Sequence, residues 1–126
     1  MVDLHRYVAY SVPALFALLT LGAIWTYLRN REPGGWYWNL LAAVQVVLGV
    51  QVLVGVILFA LGGRPQSNGP NWLHYVYGAV FPIGVLFFAH RYARRHQGVE
   101  MIIFGISCFV AFGLTFRALQ TGLGID

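Results

Sequence analysis

The sequence predicts an all-α integral membrane protein, a four-helix bundle of up-down-up-down topology. Of its 126 residues, 59% are hydrophobic and only 10% charged, whereas soluble domains carry about 25% charged residues. The apolar residues also gather into four long blocks, at about 7–28, 36–61, 72–89 and 99–119. Each block is close to or above the roughly 20 residues needed to cross ~30 Å of hydrocarbon. Four such spans use up most of the chain, so 1–126 reads as a single transmembrane domain with no room for a soluble unit.

The first block is too long for the 7–15-residue apolar core of a cleaved signal peptide, and Arg29 and Arg31 follow it as a stop. It is therefore expected to remain as the first span. The connections at 30–35 and 96–98 are short, which makes neighbouring helices antiparallel. The longest connection, 62–71 (GGRPQSNGPN), is rich in turn formers.

All eight basic residues are Arg. Arg29, Arg31, Arg91, Arg94 and Arg95 lie at one end of the spans, against Arg6, Arg64 and Arg117 at the other. That five-to-three bias predicts a bacterial-type cytoplasmic membrane protein with the two short Arg-bearing loops inside and both termini outside. Trp25, Tyr27, Trp36, Tyr37, Trp38 and Tyr92 are expected as an inner interfacial belt, and Tyr7, Tyr10, Trp72, Tyr75 and Tyr77 as an outer one.

Several function classes drop out. No basic face lies outside the lipid, so nucleic acid is not an expected partner. Asp3, Glu32, Glu100 and Asp126 are all terminal or in loops, and no catalytic triad, cysteine cluster or phosphate-binding glycine loop is present. The single cysteine, Cys108, falls in the middle of the fourth span, where it reads as a small hydrophobe.

A short internal repeat is the most informative feature. The first span opens Leu4-His5, with Ala9 four positions after the histidine and Pro13 eight after it. The third opens Leu73-His74, with Gly78 and Pro82 at the same offsets. Steps of four keep residues on nearly one helix face, so each helix carries a column of histidine, small residue and proline. The two helices run in the same direction, which puts His5 and His74 at one depth near the outer surface.

Two imidazoles above small residues suit a flat ligand clamped between helices, as a b-type haem with two axial histidines requires. Arg6, Arg64 and Arg117 are candidate partners for its propionates, since guanidinium recognises carboxylate bidentately. The same histidines are also compatible with plain interfacial caps, another metal site or a quinone pocket. Arg117 reads equally well as an anchor snorkelling to water. His90 lies sixteen residues after His74, about 160° further round the helix, and with His96 is expected at the cytoplasmic interface. Gln45 and Gln51 are expected to hydrogen-bond between helices, and Gly49, Gly55, Gly105 and Gly113 to allow close helix approach.

These residues resemble heme A synthase, the membrane enzyme that oxidises the methyl group of heme O and whose halves are four-helix bundles. Asp3-Leu4-His5-Arg6 is similar to that family's Glu-x-x-His-Arg opening, and Arg29–Arg31 to its Arg-rich inner turn. Gln45-Val46-Val47-Leu48-Gly49, the Pro-bearing outer loop and Leu73-His74 look like the continuation. Arg117-Ala118-Leu119-Gln120-Thr121-Gly122-Leu123-Gly124 is similar to a Val-Arg-x-Thr-Gly-x-Gly-Leu stretch. The resemblance implies haem ligation by His5 and His74. The chain has about half the length of that enzyme, lacks its outer-loop cysteines, and has Val2 where the family has its glutamate, with Asp3 one position later.

The expected function is a small b-type cytochrome-like protein holding one haem b between His5 and His74, with Ala9 and Gly78 beneath them. It would serve electron transfer or haem handling as a homodimer or within a larger membrane complex, with no catalytic residue of its own. The alternatives are a cofactor-free structural or assembly subunit of a respiratory or photosynthetic complex, and a heme A synthase-like enzyme acting as a dimer.

Overall fold

The computed structural model describes residues 2–125. Four helices are long and apolar enough to cross a membrane: α1 (Val2–Leu28), α2 (Gly35–Ala60), α3 (Trp72–Arg95) and α4 (Glu100–Leu123). They form an antiparallel helical bundle, and no strand occurs among the described residues. Helices satisfy every backbone group within the segment, which is what hydrocarbon demands of a crossing element.

The inward face of each helix follows a spacing of three and four. In α1 it is Val12, Phe16, Leu19, Ala23 and Thr26; in α2, Tyr37, Leu41, Val44 and Leu48; in α4, Met101, Phe104, Cys108, Ala111, Thr115 and Ala118. That 3.5-residue period is the signature of knobs-into-holes packing between helices crossing at a shallow angle. The outward faces carry Leu18, Leu21, Val46, Leu53, Phe87 and Phe109, all largely exposed. So much uncovered apolar surface needs lipid or a partner against it.

The helices are not evenly packed. α1 lies closest to α4, while α2 leans on α1 and α3 on α4; α2 and α3 make no comparable backbone approach. The close α1–α4 contact includes Gly105 against the Ala23 methyl, the kind of small-residue approach in which helix interfaces in lipid are enriched. Its buried hydroxyls are satisfied within their own helices: Thr20 donates to the Phe16 carbonyl at 2.8 Å and Thr115 to Ala111 at 2.7 Å.

Some expectations need correcting. Tyr37 is fully buried in the core, on the α2 face with Leu41 and Val44, and does not belong to an interfacial belt. Trp38 is half-buried and packs edge-on against Phe104. Trp25, Tyr27, Trp36, Tyr92, Tyr7, Tyr10 and Trp72 are exposed. Of the four glycines expected to allow helix approach, Gly49 and Gly113 face open space. α3 is interrupted by a π-helical turn at Val76–Val80, where the Phe81 amide donates to the Val76 carbonyl. Pro82 lacks an amide to continue the α-helical ladder, and one wider turn just before it absorbs the mismatch.

Candidate functional site

The space left open between α1, α2, α3 and α4 at the end bearing the 62–71 loop is a cavity of about 460 Å³. Its wall is mostly apolar, with Val12, Leu48, Val52 and Thr115 towards the membrane interior and Gly63, Arg64, Pro65 and Gln66 of the loop above. His5 enters it from α1 and His74 from α3. The cavity size is within the roughly 300–1,000 Å³ common for small-molecule and cofactor sites.

The two imidazoles meet edge-on, with ring centres 6.3 Å apart and planes at 68°. Each ring rests where a neighbouring helix has no side chain. A β-carbon on Gly55 of α2 would stand 3.2 Å from His5 Cε1, and one on Gly122 of α4 would stand 3.0 Å from His74 Cε1. Both distances are below ordinary contact, so these glycines make room for the rings.

His74 is held firmly. Its Nδ1 lies 3.0 Å from the Ala118 carbonyl and 3.1 Å from Thr121 Oγ1, and that hydroxyl itself donates to Ala118 at 2.9 Å. A carbonyl can only accept, so Nδ1 carries the proton and Nε2 keeps its lone pair. This arrangement is the usual support for a metal-ligating imidazole. His5 is positioned through its backbone, where Gln51 Nε2 donates to its carbonyl at 2.7 Å. The His5 Nδ1 and Gln51 Oε1 atoms are buried without a hydrogen-bond partner among the described residues.

Arg6 and Arg64 line the mouth. Arg64 curls back, donating to the Phe59 and Gly63 carbonyls at 3.0 and 2.7 Å and lying over the Phe59 ring at 4.0 Å. Arg117 is not in the wall; its guanidinium donates to Gln120 Oε1 at 3.3 Å on the exposed side of α4. Ala9 and Gly78 both line the cavity, but the Gly78 position also receives the Ala118 methyl, 3.3 Å from where its β-carbon would be. Its small size therefore serves helix packing as well as the cavity.

His90 is far from this site in the fold. It is half-buried, with Nε2 2.8 Å from Gln45 Oε1 and its ring against Phe104 at 5.0 Å. That bond joins α2 to α3 at the end where Gln45 was expected to link helices.

Two features of the site bear on a haem. The ring centres, 6.3 Å apart, are close enough for both imidazoles to bind one metal through bonds of about 2 Å. The apolar wall with Arg6 and Arg64 at its mouth suits a flat apolar ring with an acidic edge. The chain matches no protein-family model, no curated protein and no solved structure.

Proposed function

We propose that the cavity would hold one b-type haem between His5 and His74, in a membrane-embedded four-helix protein that transfers electrons or handles haem. The observation that carries this reading is the fixed tautomer of His74, with Nδ1 engaged by α4 and Nε2 left for a ligand, facing a second imidazole 6.3 Å away. When bound, the haem would supply one-electron redox chemistry. The chain's own residues orient the imidazoles through Thr121, Ala118 and Gln51, exclude water with the apolar wall, and present Arg6 and Arg64 to the propionates. The reading extends the likeness to a half of heme A synthase, keeping its scaffold and haem ligands without its oxidation reaction. The Arg bias favours a cytoplasmic-type membrane with the cavity at the outer face, where a homodimer or larger membrane complex would exchange electrons with it.

The test is a reduced-minus-oxidised visible spectrum of detergent-purified protein expressed with ample haem. A sharp α-band of bis-histidine haem is expected, and it should be lost in both His5→Ala and His74→Ala while His90→Ala keeps it. A colourless wild type would sink this reading and leave a cofactor-free subunit. A spectrum that survives either histidine change would place the haem elsewhere.

A further inference from the structure

We propose that the outward groove between α3 and α4 binds one anionic phospholipid, its phosphate on Arg91 and Arg95 and an acyl chain along the helices. The groove has a volume of about 1080 Å³ and is distinct from the histidine cavity. Phe81 and Phe88 of α3 and Ile106 and Val110 of α4 form its walls, and Arg91 and Arg95 close one end. From Phe81 to Arg95 the helix rises about 21 Å, enough to run through one leaflet, about 15 Å of hydrocarbon, and into the headgroups.

Charge selects the occupant. Both arginines are exposed, and neither has a carboxylate partner among the described residues. A second transmembrane helix would fill the apolar groove with no use for two cations at its end. A phospholipid uses both features, and guanidinium groups recognise phosphate in a bidentate manner. Basic pockets between helices at the headgroup level are a known form of anionic-lipid recognition. Gly84 lines the same groove, and a side chain built there would meet open space. It is a place where the groove can be blocked without disturbing the bundle.

The test is native mass spectrometry of the purified full chain titrated with phosphatidylglycerol and, separately, phosphatidylcholine of the same acyl chains. Wild type should retain one phosphatidylglycerol in preference to phosphatidylcholine. Arg91→Gln with Arg95→Gln should weaken retention about thirtyfold, since each cation near an anionic headgroup contributes about fivefold. Gly84→Leu keeps both arginines but fills the groove, and should also lose the lipid. Arg29→Gln with Arg31→Gln removes two charges at the same end and should leave retention unchanged. Equal retention of the two lipids, equal loss in the Arg29/Arg31 variant, or undiminished binding by Gly84→Leu would each overturn the proposal. Histidine variants play no part in it, so the haem reading and this one fail separately.

Discussion

A neutral imidazole has one proton and two nitrogens, so fixing one nitrogen decides what the other can do. In His74 the proton sits on Nδ1, shared between the Ala118 carbonyl and Thr121 Oγ1. Thr121→Val keeps the shape of the side chain and removes the hydroxyl, leaving Ala118 as the only acceptor. Outer-shell changes of this kind typically weaken metal binding by 10–100-fold; with one acceptor retained, haem titration of the apo-protein should show about tenfold weaker binding. Unchanged affinity would mean that Ala118 alone orients the ring. The two histidines were legible in the sequence because they recur at matching offsets from a small residue and a proline. The contacts that Thr121, Gly122 and Gly55 make with the imidazoles were not, because each is made to a ring on another helix, and 47 residues separate His74 from Thr121. Gln51 was half legible: a lone amide in an apolar span has to bond to a neighbouring helix, but nothing local says that its target is the His5 carbonyl.

The 62–71 loop acts as a roof, and its attachment to α4 depends on one residue's backbone. Gly124 ends α4 in the left-handed region at φ 74°. The Gln66 amide donates to the Gly122 carbonyl at 3.4 Å, and Asn68 Nδ2 to the Gly124 carbonyl at 3.1 Å. A β-carbon at 124 would collide with the Gln66 carbonyl, and the left-handed conformation is unfavourable for any L side chain. Gly124→Ala should therefore cost about 1 kcal/mol or more and lower Tm in detergent by a few degrees. Gly49→Ala, in open space within α2, should hold or raise Tm, because alanine is the better helix former. If both variants behave alike, the roof contributes nothing to stability. Spans and loops were readable from composition alone, and the observed helices differ mainly in their ends. The π turn at Val76–Val80 was not readable. Pro13 and Pro82 occupy the same place in the repeat, yet α1 runs through Pro13 as an α-helix and only α3 widens. The widened turn faces α4, with Gly78 against Ala118, so tertiary packing rather than local sequence separates the two prolines.

At the scale of the whole molecule, the same uniform hydrophobicity that made the four spans plain concealed their inward faces. Lipid is as apolar as the core, so Tyr37 in the interior and Trp36 outside carry no distinguishing local signal; only the spacing with Leu41, Val44 and Leu48 marks the buried face. What remains legible at this scale is orientation, written in charge at the two ends. With four antiparallel spans, the 62–71 loop, both termini and the histidine cavity belong to one side, and the loops holding Glu32 and Gly98 to the other. Five arginines against three predict that the latter side faces the cytoplasm. Cysteine scanning reads this directly, because Cys108 is fully buried and gives little background labelling. Asn71→Cys and Glu32→Cys change exposed positions on opposite sides. In intact cells a membrane-impermeant maleimide should label Asn71→Cys and spare Glu32→Cys until the membrane is permeabilised. The reverse pattern would invert the protein, so that a haem between His5 and His74 would exchange electrons on the cytoplasmic side and the Arg91–Arg95 end would face outward. Labelling of both positions in intact cells would contradict the four-span topology itself, since Glu32 and Asn71 lie on opposite sides only if α2 crosses completely between them.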